Sequence, residues 1–351
     1  MFLSPPPPSV KTRLTKPIVA SYGVVAAALV LLGWLHLATL LITGLFSFFA
    51  LNKLCFGGRK GLALVLFLVL FAAVSVGSGW FASRAIKEFP AIASKVIPRV
   101  FDYADKHGIQ FNYSDSQGIK LPISDLEDLR EAAPNMMRQS APFLGSFAKI
   151  TLKELVMLVA GVVIALGIFL QREPKNGTGN DGETLYAHYY GLIQRRFVAF
   201  YQSFENVMGA QIVISSVNTV ATAVYLLATS FPYATILIPL TFLCGLLPII
   251  GNLISNILIV GIALGAVSPK MALWSLLFLV VIHKMEYLLN SKIIGSRIQH
   301  PMWMTLIGLI LGEYLMGIPG VILAPALLHY IKVEGSRYAA PTPEPREEYL
   351  D

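Results

Sequence analysis

The second half of the chain carries polar and ionisable side chains inside long apolar runs. In the run from Met271 to Asn290, the side chains of His283, Glu286 and Asn290 occupy positions i, i+3 and i+7, which share one helix face. Ionisable groups inside a membrane segment are costly and usually mark an ion or solute path. A carboxylate that faces a cavity there could carry a proton or bind a cation.

Glu313 offers the same chemistry deeper in the last apolar stretch, 302–331, where it stands between Gly312 and Tyr314. We therefore consider Glu313 and Glu286 the candidate titrating groups. A competing interpretation places His283 and Glu286 at the cytosolic end of their helix, close to water and without a transport role.

The most hydrophobic run, 234–267, is interrupted at its centre by Pro248, Gly251 and Asn252. Proline and glycine disfavour a continuous helix, and unpaired backbone at membrane depth is tolerated only inside protein or beside a water-filled cavity. The sequence predicts two half-length helices that direct backbone groups and the amides of Asn252 and Asn256 at such a place.

The last stretch, 302–331, is interrupted in the same way around Gly317 and Gly320. A pair of interrupted segments is a sequence pointer to a transporter binding site. The glycines also allow a second interpretation, in which small residues simply let helices pack closely. Two spaced pairs fit that motif: Gly261-x-x-x-Gly265 and Gly308-x-x-x-Gly312.

Composition supports a membrane setting for these runs. Of 351 residues, 55% are hydrophobic and 13% are charged, whereas a soluble domain carries about 25% charge. We therefore interpret the net charge of +7 as basic residues placed in the loops between membrane helices, and not as a sign of nucleic-acid binding. The two cysteines, Cys55 and Cys244, indicate no disulfide framework.

Charge density divides the chain into seven parts. They are a disordered cytosolic tail (1–17), N-terminal membrane helices (18–82), an amphipathic extracytoplasmic segment (83–150), a membrane helix (151–171), a cytosolic linker with an amphipathic helix (172–207), a transport core (208–332) and a cytosolic tail (333–351). The predicted fold class is an all-α polytopic membrane protein with about eight transmembrane segments, two of them interrupted and hairpin-like.

Three local expectations accompany this division. The uncharged run 18–51 would make a helix of about 50 Å, so two helices with a turn at His36 fit better. The segment 83–150 is expected to hold two amphipathic helices, the second beginning at the capping box Ser124–Glu127. The basic pair Arg195 and Arg196 is expected to contact anionic headgroups or to lie on a solvated face.

Basic residues give the orientation. The short segments predicted inside carry Lys and Arg throughout, whereas Lys270 is the basic residue of the short outside segments. Both termini are therefore expected in the cytoplasm. The segment 83–150 falls outside.

The sequence shows no GxxxxGK[ST] loop, no HExxH and no GxSxG. We expect no nucleotide-driven pumping, no enzyme, no cofactor and no metal. The expected partners are the lipid bilayer, a small polar solute or cation, and further copies of the chain in a homo-oligomer; nucleic acid is not expected.

Three segments resemble the autoinducer-2 exporter (AI-2E) family of transporters: LLPIIGNLI, HKMEYLLNSKIIGSRI and GLILGEYLMGIPGVILAPALL. The family's Pro-x-x-Gly break, its Glu-containing stretch leading to Lys-x-x-Gly, and its Gly-rich ending all have counterparts. The matching residues are Pro248, Gly251, Glu286, Lys292, Gly295, Gly308, Gly312, Gly317, Gly320 and Pro325. Ser291 stands where many members have proline.

The resemblance is specific over about 208–332 and architectural before it. It implies a secondary transporter of the bacterial inner membrane that exports an autoinducer-2-like solute or exchanges cations. Two alternatives from other classes stay open: a non-transporting membrane scaffold acting through 84–149, and a channel.

Overall fold

The computed structural model describes residues 15–106, 152–171, 184–247, 250–294 and 301–338. Ten α-helices make up these ranges, joined by a 3-10 turn at Phe56–Gly58 and a π-helical turn at Ala263–Val267. The helices are α1 (Lys16–Trp34), α2 (Ala38–Leu54), α3 (Lys60–Lys106), α4 (Leu152–Leu170), α5 (Leu185–Ala228), α6 (Ala234–Gly245), α7 (Ile250–Ile262), α8 (Pro269–Ile294), α9 (Met302–Met316) and α10 (Ile318–Gly335). The all-α prediction is confirmed.

The first apolar run is divided as predicted. Helix α1 ends at Trp34 and α2 begins at Ala38. His36 has φ = 55° between them, a left-handed conformation that cannot continue an α-helix. The run therefore gives two separate helices, of 19 and 17 residues.

Helix α3 differs from the prediction of a membrane span followed by a separate amphipathic helix. It continues for 47 residues, about 70 Å, through Pro90 and Pro98. Ile92 and Val96, spaced at i and i+4, are buried against apolar residues of α5, α6 and α7. This helical spacing of apolar residues continues past the charged residues that begin at Arg84. The helix therefore does not end at residue 82. The second predicted amphipathic helix, from Ser124, lies outside the described residues.

Helix α5 also joins two predicted parts, the amphipathic helix and the fifth membrane span, in one element of 44 residues. The described chain falls into two compact units, and the division within α5 comes after Val207. Unit 1 contains α1, the first part of α5, α9 and α10. Unit 2 contains nearly all of α2, then α3, α4, the rest of α5, α6, α7 and α8.

Both interrupted runs are helix pairs, as predicted, and each unit contains one of them. Helices α6 and α7 have 12 and 13 residues, which is shorter than the about 20 residues of a membrane-spanning helix, although the π-helical turn Ala263–Val267 directly extends α7. Helices α9 and α10 meet at Gly317, where φ is 62° and ψ is −146°. That backbone conformation is essentially restricted to glycine.

The helix surfaces confirm a polytopic membrane protein. Among the described helices, four are long and apolar enough to cross a membrane, namely α1, α3, α4 and α5. The shorter apolar helices are α2, α6, α7 with its π-helical turn, and α9. Large apolar side chains face outward along them, as at Val69 (62% exposed), Val163 (59%) and Val220 (64%). Such continuous apolar surface suits lipid and not water.

Candidate functional site

The interruption between α6 and α7 is built on close backbone contact. A side chain at Gly251 would overlap the backbone carbonyl of Cys244, so only glycine fits there. At the end of α6 the backbone N–H of Leu246 donates to the Phe242 carbonyl oxygen at 3.2 Å, and that of Leu247 donates to the Cys244 carbonyl oxygen at 2.8 Å. Pro248, the predicted centre of the break, lies outside the described residues.

Two side chains of α5 donate further hydrogen bonds to carbonyl oxygens at this end. The Nε2 of Gln211 donates a hydrogen bond to the carbonyl oxygen of Gly245 at 2.6 Å. One turn later, the Oγ of Ser215 donates to the carbonyl oxygen of Phe242 at 2.7 Å. The end of α6 is thus capped from a neighbouring helix, which is how a broken helix is tolerated at membrane depth.

Gln211 and Ser215 begin a buried polar line along α5. With Asn218 and Thr222 they occupy positions i, i+4, i+7 and i+11, which lie on one helix face, and all four are buried. We call these four residues the α5 polar seam. The line ends in apolar packing at Leu226, which is fully buried among residues of α3, α6 and α7.

Helix α7 presents a second buried polar face in the same unit. Asn252, Ser255 and Asn256 are 5%, 2% and 5% exposed, whereas the residues between and after them face outward. A Cβ added at Gly245 would lie 2.5 Å from the Oγ of Ser215 and 3.3 Å from the Oδ1 of Asn252. The polar face of α7 and the α5 polar seam therefore meet at the end of α6, with Asn252 placed inside protein as predicted for the break.

Part of the α5 polar seam has no internal partner. Three atoms have no hydrogen bond to any described residue: the Asn218 Nδ2, the Asn218 Oδ1 and the Thr222 Oγ1. A buried polar group left unpaired costs about 1–3 kcal/mol. The sequence shows Asn218 and Thr222 only as polar residues in an apolar span; their seven-residue spacing from Gln211 and Ser215 is the signal that would have singled them out.

The predicted polar face of α8 is only partly buried. The side chain of Glu286 is 12% exposed and that of His283 is 58% exposed, and the His283 Nδ1 lies 3.9 Å from the Glu286 Oε2. The side chain of Asn290 lies outside the described residues. At this distance the two side chains are within ion-pairing range but beyond direct hydrogen-bond reach.

Glu313 is placed differently. Its side chain is exposed on α9, and it belongs to unit 1, whereas Glu286 belongs to unit 2. Gly317 and Gly320 form the predicted break after it. Asn252 and Asn256, like Glu286, belong to unit 2.

In unit 1 the glycines of α9 pack closely against α10, as the second interpretation of the glycines predicts. A Cβ at Gly312 would lie 2.5 Å from the carbonyl oxygen of Gly320, and one at Gly308 would lie 3.0 Å from Leu328. In the Gly261-x-x-x-Gly265 motif of unit 2, only one glycine makes a close contact. Gly265 packs on the backbone of Val96, whereas Gly261 faces open space. Both predicted roles of the glycines, breaks and close contacts, occur.

Unit 1 also contains a buried charged group that the sequence did not predict. The guanidinium of Arg196 pairs with the carboxylate of Glu334, and the Tyr22 hydroxyl donates to the same carboxylate at 2.5 Å. The Arg196 Nη2 donates to the Tyr338 hydroxyl at 2.9 Å. We call Tyr22, Arg196, Glu334 and Tyr338 the unit 1 ion cluster.

This cluster corrects the expectation for the basic pair of α5. Arg195 is exposed, as a headgroup or solvent contact requires, but Arg196 is only 6% exposed and Glu334 only 2%. The pair was misassigned because adjacent residues on a helix point about 100° apart, and the carboxylate lies far away in sequence.

Apolar helices in interrupted pairs, with buried polar faces at one interruption, define a membrane transport protein. Comparison with protein families supports this class: residues 23–338 match the AI-2E family transporter model. The chain belongs to the AI-2E family of transporters.

Among curated proteins, the chain is similar to "Putative transport protein YdbI" of Bacillus subtilis (strain 168). The two are 33% identical over 125 residues, which is 35% of this chain and 36% of the relative. The chain thus matches about a third of the length of that relative.

Proposed function

We propose that this protein is a secondary carrier of a bacterial inner membrane, which exports a small polar solute or exchanges cations. The observation that supports it best is the interrupted α6–α7 pair, where side chains of α5 donate hydrogen bonds to the end of α6. Gln211 and Ser215 donate to the carbonyl oxygens of Gly245 and Phe242, and Asn252 lies at the same point.

Such an arrangement suits a carrier because it places fixed polar groups among apolar helices without breaking the hydrogen bonding of the backbone. A solute that enters loses water, and the amide and hydroxyl groups of α5 and α7 replace it. Membership of a transporter family and similarity to a protein named for transport are consistent with this role.

Coupling to protons is part of the proposal and is assigned to Glu286. Its carboxylate is mostly buried, the His283 Nδ1 lies 3.9 Å from its Oε2, and Lys284 stands two residues before it on α8. Helix α7, which packs against α8, carries no Lys, Arg, His, Asp or Glu. A carboxylate with a titratable neighbour can bind and release a proton as the solute moves.

Both termini are proposed to be cytoplasmic, and the carrier is proposed to form homo-oligomers.

The test begins in cells with an unbiased comparison of exported metabolites between a deletion strain and the same strain carrying the gene. Purified full-length protein is then placed in liposomes, and counterflow and saturation are measured for each solute found. We expect solute counterflow, which a channel or a scaffold does not give.

Gln211→Leu and Gln194→Leu provide the matched pair for this assay. Gln211 caps the end of α6, whereas Gln194 is exposed on the same helix. We expect the first change to reduce counterflow about tenfold or more, since an unpaired carbonyl costs about 1–3 kcal/mol, and the second to leave it unchanged. Equal activity of both variants would remove the α6–α7 interruption from the transport path.

A further inference from the structure

The second half of α3 is hydrogen-bonded to the turn that follows α7. This half, 84–106, contains all the charged residues of α3 except Lys60, and we call it the charged half of α3. The Nη1 of Arg99 donates to the carbonyl oxygen of Gly265 at 3.2 Å, although 166 residues separate them in the chain. Gly265 lies in the π-helical turn Ala263–Val267, which directly extends α7. Such turns are rare and are frequently found at functional sites.

The sequence explains why this carbonyl accepts a hydrogen bond from another helix. In an α-helix the carbonyl of Gly265 would accept from the backbone N–H four residues later, but residue 269 is proline, which has no N–H. The chain forms a wider turn instead, in which the N–H of Ser268 donates to the carbonyl oxygen of Ala263 at 2.9 Å. The Arg99 guanidinium therefore supplies a donor that the chain cannot provide at residue 269.

Apolar residues of α3 pack against the same turn. Ile92, Val96 and Arg99 occupy positions i, i+4 and i+7, so they lie on one helix face. Ile92 and Val96 are 6% and 7% exposed and share a core with residues of α7 and of the turn. A Cβ added at Gly265 would lie 2.7 Å from the carbonyl oxygen of Val96. The turn is thus held by backbone contact as well as by the Arg99 bond.

Helix α7 connects this turn to the interruption. Near its first residue, Gly251 packs on the carbonyl of Cys244 in α6, and Gly265 lies about 20 Å farther along the helix axis. A helix of this length is a rigid element, and rigid elements can carry coupling between distant sites. The position of the turn therefore influences how α7 fits against α6 at the interruption.

We propose that Arg99 is a positioning residue, which holds the π-helical turn from the charged half of α3 and thereby fixes α7 at the interruption. The inference rests on the proposed carrier function where it makes the interruption part of the transport path. It also gives the length of α3 a purpose. At about 70 Å, α3 is more than twice as long as the hydrocarbon core is thick, and its charged half reaches the end of α7.

A native cysteine reports on the interruption without any assay of transport. The thiols of Cys244 and Cys55 are both free, and Cys244 is the residue on which Gly251 packs. With Cys55→Ser as the common background, the rate at which N-ethylmaleimide labels Cys244 is measured for full-length protein in liposomes at a fixed pH. Thermal unfolding in detergent is measured on the same proteins.

Two variants loosen the turn, and each has a matched control. Arg99→Met removes the donor, and Lys95→Met removes a positive charge from an exposed position of the same helix. Gly265→Ala pushes the turn away from Val96, and Gly261→Ala adds a carbon that meets open space.

We expect Cys244 to be labelled about threefold faster in Arg99→Met and in Gly265→Ala, the factor that corresponds to one interhelical hydrogen bond in a membrane protein. Both controls should be labelled at the rate of the background protein. Arg99→Lys, which keeps the charge and a donor, should recover part of the slow labelling. Counterflow of the solute identified by the export comparison should fall by a similar factor in the two test variants.

Other results overturn the inference in distinguishable ways. Unchanged labelling of Cys244 in both test variants rejects it, and a lowered unfolding temperature with unchanged labelling shows that Arg99 supports only the stability of α3. Equal acceleration in Lys95→Met assigns the effect to lost charge and not to the bond with Gly265. Normal counterflow in a variant with faster labelling leaves Arg99 without a role in transport. If the background protein shows no counterflow, the proposed carrier function fails, whereas the labelling rates still decide whether Arg99 positions the interruption.

Discussion

The guanidinium of Arg196 and the carboxylate of Glu334 form a buried ion pair although 138 residues separate them in the chain. Arg196 also lies over the ring of Tyr22, 4.3 Å from its centroid, and Arg337 approaches the second oxygen of Glu334 at 2.7 Å. The pair therefore connects α1, the first part of α5 and the end of α10 within unit 1.

Removing one partner of this pair should strongly destabilise the protein. Arg196→Met leaves Glu334 buried with one cation fewer, and such a change typically costs about 3–5 kcal/mol. Thermal unfolding in detergent measures the effect, with Arg195→Met on the exposed neighbour as the control. The double variant Arg196→Met, Glu334→Leu should recover part of the loss, since it removes both charges. A single variant as stable as wild type would show that the pair contributes nothing.

The α9–α10 contact predicts opposite effects for two Gly→Ala changes. At Gly312 a Cβ would lie 2.5 Å from the Gly320 carbonyl oxygen, so the helices must separate, at a cost of about 1–3 kcal/mol. At Gly261 the added carbon meets open space, and alanine gains up to about 1 kcal/mol in helix propensity. Unfolding temperatures of the two variants should move in opposite directions; a shared direction would contradict the close packing.

The two serines in the middle of α5 make a matched pair. Ser215 donates across to the Phe242 carbonyl oxygen of α6, whereas Ser216 donates to the Ile212 carbonyl of its own helix. Ser215→Ala should lower stability by about 1 kcal/mol, the size of an interhelical hydrogen bond in a membrane protein. Ser216→Ala should be close to neutral. Thermal unfolding distinguishes them, and an equal effect would argue that the α5–α6 bond is not formed.

The proposed proton coupling predicts a difference between the two candidate carboxylates. Glu286 is mostly buried beside His283, and Glu313 is exposed. Glu286→Gln should abolish the pH dependence of flux in liposomes, because glutamine has no proton to exchange, and Glu313→Gln should preserve it. Loss of pH dependence only in Glu313→Gln would assign the coupling to α9 instead, and pH dependence retained by both variants would exclude a carboxylate mechanism.

Local signals predicted the interruptions well. The break at Gly317 needs a backbone conformation that only glycine adopts readily, and the turn at His36 follows from the length of an uncharged run compared with a bilayer. Both features are encoded within a few residues, so the sequence is sufficient to locate them.

Features that depend on distant partners were not predicted. The sequence shows that Arg196 is charged but not that Glu334 is beside it. It shows that Asn218 is polar but not that its neighbours leave it without a bond. The lengths of α3 and α5 were missed for a related reason, since a rise in charge density marks a change of surroundings and not the end of a helix.

The unit 1 ion cluster has a consequence for the order in which the chain becomes stable. Tyr22 and Glu334 are 312 residues apart, and at about 5–20 residues per second the ribosome needs on the order of tens of seconds to make that interval. During this time α1 is present without the carboxylate that pairs with Tyr22, and Arg196 is without it for the last 138 residues of that interval. A chain that stops before its last helix never acquires that carboxylate, so complete synthesis is itself a condition for the stability of unit 1.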